Sequence, residues 1–545
     1  MNKTKILFPI LILAIWLFSY IVCTINLEPS IEWDEAKYLA CAHGIAENFD
    51  FSSRSTTIQG LLKYGFPQHT THYPLHSLYI AIFFKLFGAS LGVAIFSTWF
   101  ALFLTCIFIY FIMLLLTENN NQFSFFTSIT FLFLPRVINH ANSVMMEIPS
   151  CALLTVLIFL VFKLISKDKL NPFILAVSTT GLLFYKSLFV GIIFGFLSLL
   201  AFGYIKKSVG FKWLSSLLYL ATTFVLYFLF AKFVFLPLAP WIDFSRIQQG
   251  VDGAYADFDG GFFRDPVNNA IAGLKALYMI ITTGYFPSIP VDLDKTTITG
   301  CFVTSPIWLE TGLYFLILFY VIVLLFFLWK KLLPVQRIFI LFSVISISAF
   351  NIIFNILIET NLGPRCRYNF IYVPLLLISA AVLIWSIRDS FKKEYKNIFL
   401  FVLISLIIIV YFPVYNAGSK ITSWNKNLMN EIMTKNTEIV KKYIGASRPI
   451  FIYSTSASFV TWDMFPTREI FAQAKNDYIK KINTLLPKPV EYLFITPKDY
   501  LFNENKDLIL MAQPIIDNWY TFYGVDIVNN VVVYRLNSRI YEREE

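Results

Sequence analysis

Long apolar runs alternate with short polar connections along most of the chain. The runs 6–25, 92–116, 123–140, 149–165, 171–185, 188–204, 213–236, 311–329, 338–358, 369–386 and 397–413 each read as a membrane-spanning helix, for which about 20 residues is the usual length. The run 75–88 is apolar but only 14 residues long, so it reads as an interfacial helix. Lys3 and Lys5 precede the first run and no small-x-small cleavage site follows it, which makes it an uncleaved first helix instead of a signal peptide.

The basic residues orient these spans. Lys167 with Lys169, Lys206-Lys207 with Lys212, Lys330-Lys331 with Arg337, and Arg388 with Lys392, Lys393 and Lys396 occupy connections on the side that also holds Lys3 and Lys5. The positive-inside rule makes that side cytoplasmic. With 75–88 laid on the external face, the expectation is eleven spans, the N-terminus inside and the C-terminus outside. Three external pieces follow: a first loop at 26–73, a second at 237–310 with an Asp- and Gly-rich stretch at 252–261, and a tail. In the tail, 430–443 has helical spacing, while 449–453, 492–496 and 526–535 alternate like strands. The expected fold class is an all-α polytopic membrane domain over 1–414, followed by a small external α/β domain over 415–545.

Composition agrees with this reading. Of 545 residues, 57% are hydrophobic and 14% charged, and the mean hydropathy is +0.65; soluble domains carry roughly 25% charged residues. The net charge of +10 does not indicate nucleic acid. The Lys and Arg sit in short clusters between apolar runs, not in a basic arm or stripe. Six cysteines are scattered without C-x-x-C spacing. Cys23, Cys106 and Cys151 lie in apolar runs as core residues, whereas Cys301 and Cys366 lie in external segments where a pairing stays open. The Lys-, Asn- and Ile-rich usage points to a prokaryotic plasma membrane.

Candidate chemistry gathers on the external side. Trp33-Asp34-Glu35 opens a helical pattern shortly after the first span. Neighbouring carboxylates on a helix point about 100° apart, so the two cannot do the same job. Alone, the pair also fits an ordinary acidic first helical turn. The segment His69-Thr70-Thr71-His72-Tyr73-Pro74-Leu75-His76 opens the interfacial helix, and four of the five histidines fall between His43 and His76. Phosphate or carboxylate hydrogen bonding suits them better than a metal, for which fixed ligand spacing is lacking. Glu147 stands just before the fourth span, and Lys186 interrupts an apolar hairpin. Arg365 and Arg367 precede Tyr368 at the start of the tenth span. Ionisable groups at such depth are costly and mark function by default, although Lys and Arg also snorkel to interfaces. Cations facing a carboxylate beside lipid suit a lipid phosphate.

In this order the residues resemble the GT-C superfamily of membrane glycosyltransferases. The similarity is to the branch of the protein O-mannosyltransferases and the lipid A aminoarabinose transferases. It rests on Asp34-Glu35 with Ala36-Lys37-Tyr38, His72-Tyr73-Pro74-Leu75, Glu147 with Pro149, Lys186, and Arg367-Tyr368 with Pro374. Tyr73 and Glu147 depart from the family's proline and aspartate, and the Trp-Trp-Asp signature of oligosaccharyltransferases is absent. The resemblance implies a GT-C-type catalytic domain and an inverting transfer of a sugar. The donor would be a polyprenyl-phosphate sugar, and the acceptor a protein, lipid or polysaccharide carrying a hydroxyl or amine. It implies Asp34 as general base, with Glu35 supporting it. Lys186, Arg365, Arg367 and His72 would bind the donor phosphate, and Tyr38, Glu147 and Tyr368 the substrate. It implies no metal and no other cofactor. The alternative from the residues is a transporter or flippase of a lipid-linked saccharide, for which repeat symmetry and broken helices near the midplane are the signature. A further alternative is a receptor or assembly factor whose external tail binds a partner.

Overall fold

The computed structural model describes residues 4–25, 33–49, 51, 55–57, 75–167, 171–186, 189–201, 212–235, 329–351, 370–388, 450–453, 470–472, 492–495, 520–526 and 531–536. The span expected at 311–329, apart from Trp329, the span at 397–413, the second loop, the helix at 430–443 and the Cys301 and Cys366 positions lie outside the described residues. The helices are α1 (Thr4–Thr24), α2 (Trp33–Asn48), α3 (Leu75–Phe87), α4 (Leu91–Leu116), α5 (Asn121–Leu132), α6 (Pro135–Ala141), α7 (Glu147–Ser166), α8 (Pro172–Tyr185), α9 (Val190–Ala201), α10 (Lys212–Phe230), α11 (Pro334–Asn351) and α12 (Val373–Arg388). Among the described residues, four stretches are long and apolar enough to cross a membrane, Ile6–Thr24, Leu91–Leu116, Glu147–Ser166 and Leu214–Val234. Shorter apolar helices include Pro172–Tyr185, Val190–Leu200, Pro334–Phe350 and Phe370–Ser386.

One expected span is broken. The apolar run 123–140 divides into α5 and α6. Pro135 has no N–H to donate into a continuing helix and takes the first position of the next one, with Leu134 extended ahead of it. The run 213–236 also changes character, closing in a π-helical turn at Ala231–Phe235. The remaining boundaries follow local chemistry. Ser90 and Asn171 cap α4 and α8 by accepting from Val93 N–H and Ile174 N–H. Gly88, at φ +86°, ends α3 in the left-handed conformation that a Cβ would resist.

Contacts between helix ends fix the helix directions. Phe8, early in α1, meets Phe125, early in α5, at 5.4 Å, whereas Tyr20, late in α1, meets Phe96, early in α4, at 5.7 Å. Phe162, late in α7, meets Phe339, early in α11, at 5.2 Å. Phe123, early in α5, meets Trp385, late in α12, at 5.1 Å. Gln336 Nε2 donates to the Leu116 carbonyl at the end of α4 (2.6 Å). These pairings collect the starts of α1, α5 and α11 and the ends of α4, α7 and α12 at one end of the bundle. Lys163, Lys167, Lys330, Lys331 and Arg337 lie at that end, hereafter the basic end. Gly191 and Gly195 on α9 let α11 approach closely; a Cβ at Gly191 would fall 2.7 Å from the Tyr372 hydroxyl and one at Gly195 would fall 2.8 Å from the Phe342 ring.

α3 does not run along α4. Tyr79 donates to the Ser97 carbonyl (2.7 Å), Phe83 lies against Phe96 and Phe100, and Phe87 also lies against Phe96. Contacts spread over the length of α3 thus fall on one short stretch near the start of α4, so α3 crosses it at the end opposite the basic one.

The described strands form one sheet in the order β1-β3-β2-β4-β6-β5, with β1 (Ser55–Thr57), β2 (Ile450–Tyr453), β3 (Ile470–Ala472), β4 (Tyr492–Ile495), β5 (Tyr520–Asp526) and β6 (Val531–Leu536). β1, β3, β2 and β4 are mutually parallel, and β6 is antiparallel to β4 and β5. The single strand expected at 526–535 is instead the second half of a pair, because Asp526 ends one strand and Val531 begins the next. The Asn529-Asn530 dipeptide between them is a turn signal that the apolar alternation hid. β1 comes from the first loop, so the sheet joins that loop to the tail.

Candidate functional site

The end opposite the basic one gathers the start of α7 and the ends of α6 and α8 beneath α2 and α3. Glu147 is the first residue of α7, where the helix dipole favours an anion. Lys186 follows α8, its backbone N–H donating to Leu182 O as the last helical bond, and a cation is favoured there. The two meet: Lys186 Nζ donates to Glu147 Oε1 at 3.0 Å. Glu147 is 0% and Lys186 5% exposed, so the two opposite charges stabilise each other away from water. Removing one partner of such a pair leaves an uncompensated buried charge.

α2 supplies the second carboxylate. Glu35 is buried, and its Oε1 accepts the backbone N–H of Val144, in the segment between α6 and α7. The Val144 carbonyl in turn accepts from His76 Nε2 (2.8 Å), on α3. A carbonyl can only accept, so a neutral His76 carries its proton on Nε2. Its Nδ1 is then the acceptor for the Tyr185 hydroxyl at 2.8 Å, and Tyr185 is the residue before Lys186. Tyr38 stands edge-on to the His76 ring, with centroids 4.9 Å apart. Trp99 Nε1 donates to Asn142 Oδ1 (3.0 Å), which steadies the same segment.

Three residues picked from the sequence therefore converge with Glu35: Tyr38, Glu147 and Lys186. Asp34 lies in the first turn of α2, but its side chain is outside the described residues. His72, Arg365, Arg367 and Tyr368 also lie outside them. The 3-10 turn Phe370–Tyr372, which begins three residues after Arg367, packs here too. Cys151 Sγ, one helical turn beyond Glu147, donates to the Phe370 carbonyl (3.7 Å), and the His140 ring lies 4.5 Å from that of Phe370. Among the described residues, no group of three or more His, Cys, Asp or Glu could hold a metal ion. Tyr185 and Val144 were missed by sequence reasoning, and His76 was picked out only as one of the histidines opening the interfacial helix. The only signal was the i, i+4 spacing of His72 and His76.

Fold and site together define a polytopic helical membrane protein with acidic and basic groups converging at one end of its bundle. Two crystal structures of ArnT from Cupriavidus metallidurans, a lipid A aminoarabinose transferase, share this fold. The one bound to undecaprenyl phosphate matches 97% of this chain and 98% of its own at 11% identity, with a TM-score of 0.54. The apo state matches the same shares at 12% identity, with a TM-score of 0.55. A weaker likeness, with a TM-score of 0.48 at 11% identity, links 97% of this chain to 74% of the Archaeoglobus fulgidus oligosaccharyltransferase. No family model and no curated protein matches the sequence. The fold is that of the ArnT structures, as the sequence resemblance led one to expect.

Proposed function

We propose that this protein is an inverting glycosyltransferase that moves a sugar from a polyprenyl-phosphate carrier to an acceptor hydroxyl or amine at the external membrane face. The observation that carries this reading is the buried Lys186–Glu147 pair, set at helix termini beside the Glu35 helix in a chain with the ArnT fold. Charges placed at helix ends, not midway along the helices, suit an enzyme at the membrane face better than a transporter.

In this reading Asp34 is the general base that takes the acceptor proton, while Glu35, committed to the Val144 N–H, holds α2 in place. The leaving group is a lipid phosphate that needs charge stabilisation and no general acid. Lys186, Arg365, Arg367 and His72 are the donors for it, and Arg367 stands three residues before the Phe370 turn that packs on α7. Tyr38, Glu147 and Tyr368 are assigned to substrate binding. The ArnT structure contains undecaprenyl phosphate, and we assign the same class of lipid to this chain. The active site and the tail both lie on the external face of a prokaryotic plasma membrane.

The test is transfer by Asp34→Asn in membranes supplied with radiolabelled polyprenyl-phosphate sugars. General base catalysis contributes about 10²–10⁴-fold, so transfer should fall by that order while the protein still inserts. Transfer retained at the wild-type rate would remove Asp34 from the mechanism.

A further inference from the structure

The reaction as described does not use His76, although its ring meets three elements of the site. One imidazole joins three elements. Nε2 donates to the Val144 carbonyl, Nδ1 lies 2.8 Å from the Tyr185 hydroxyl, and the ring itself belongs to α3 and stacks edge-on with Tyr38 of α2. Val144 lies three residues before Glu147, and Tyr185 lies one residue before Lys186. The contacts close a ring: His76 to Val144, along the chain to Glu147, across 3.0 Å to Lys186, back one residue to Tyr185, and 2.8 Å to His76 again. The ion pair forms one side of this ring and the imidazole forms the opposite side.

From this geometry we infer that His76 is a positioning residue for the phosphate-binding Lys186, acting as a neutral imidazole protonated on Nε2. The two-sided demand on the ring fixes its state. An imidazolium would present a second donor to Tyr185, and the phenol would have to give up its bond to Nδ1 and turn its proton elsewhere in a buried setting. Tyr185 is buried as well, so water does not readily supply the missing partner. Among the described residues, the charged and titratable groups around it include Tyr79 from α3, Glu35 and Tyr38 from α2, Glu147 from α7, and Tyr185 and Lys186 from α8 and its end. With His76 in place, the end of α8 and the segment ahead of α7 are held at one separation. The Lys186 ammonium is then held in one place for a phosphate to approach. Without His76, the Tyr185 hydroxyl and the Val144 carbonyl lose a buried partner, and the two chain ends keep the ion pair but not this second link. This role deepens the proposed function and rests on it, because it assigns Lys186 to a lipid phosphate.

The experiment uses the full chain in detergent and two readouts. The first is binding of undecaprenyl phosphate. His76→Ala should weaken it about tenfold and Tyr185→Phe about threefold, and the double variant should bind no worse than His76→Ala, since both act through one contact. His76→Gln, whose amide offers both an N–H and an oxygen, should recover to within about threefold of the parent. The second readout is nitrogen NMR of the chain labelled in its five histidines. It should show one neutral ring, protonated on Nε2 and bonded at Nδ1, which disappears in His76→Gln and shifts in Tyr185→Phe. If His76→Ala binds like the parent, or if the spectrum shows His76 charged or protonated on Nδ1, the positioning role is overturned. If the parent itself fails to bind undecaprenyl phosphate, the proposed function falls, and the NMR still decides the state of His76. Should His76→Ala not fold, Tyr185→Phe and the spectrum carry the test.

Discussion

The two ends of the bundle handle charge in opposite ways. At the site end, Glu35, Glu147 and Lys186 are buried and each is bonded to a particular partner. At the basic end, Lys163, Lys167, Lys330 and Lys331 are exposed, and what locks the helices together is neutral. There, Gln336 Oε1 accepts from Leu333 N–H while its Nε2 donates to the Leu116 carbonyl. The site end does have exposed lysines, but these are held locally. Lys85 donates to the Ala46 carbonyl (3.2 Å), and Lys232 lies over the Phe228 and Phe233 rings. A buried charge must be paired or neutralised, so it is retained where it does something. An exposed lysine at a helix end costs little, and its work is to set orientation.

The comparison breaks first, if it breaks at all, at Lys186. Lys186→Ala leaves the Glu147 carboxylate buried without this cation, and such losses cost about 3–5 kcal/mol. The expected outcome is a large drop in thermal stability in detergent, with loss of undecaprenyl-phosphate binding. Lys186→Ala combined with Glu147→Ala should recover much of the stability but none of the binding. Stability unchanged in the single variant would mean that the pair is not a buried ion pair in solution.

Much of this difference was legible in the chain. Alternating runs and basic connections located the helices, and counting sides was enough to bring Glu35, Glu147 and Lys186 to one face. The ring through His76 was not legible, since one of its links is the backbone carbonyl of Val144, whose side chain is an ordinary core valine. The split of 123–140 was written in Pro135, but the apolar run on either side outweighed it. β1 could not be read at all. Three residues, Ser55–Thr57, have no periodicity of their own, and they become a strand only through β3, more than 400 residues later in the chain.

A middle-sized effect belongs to the neutral lock. Gln336→Leu removes the donor to the Leu116 carbonyl and the acceptor for Leu333 N–H, leaving buried backbone groups without that partner at a cost of about 1–3 kcal/mol. The melting temperature should fall while undecaprenyl-phosphate affinity per folded molecule stays at the parent value. If affinity fell in step with stability, the two ends would be coupled and the separation of a binding end from a fixing end would be wrong.

The smallest expected effect is at Lys330, and it bears on whether the exposed cations are only topological. The Lys330 side chain is exposed, and the bond that its residue contributes is from the backbone: Arg337 Nη2 donates to the Lys330 carbonyl at 3.1 Å. Lys330→Ala keeps that carbonyl, so the Arg337 contact survives the substitution. With Lys331 and Arg337 still present, the local positive charge that orients the helix also survives. Thermal stability and undecaprenyl-phosphate affinity should both match the parent. A loss of binding comparable to that of Lys186→Ala would place an anionic lipid at the basic end as well, and the assignment of the phosphate to Lys186 would no longer follow from the contrast between the two ends.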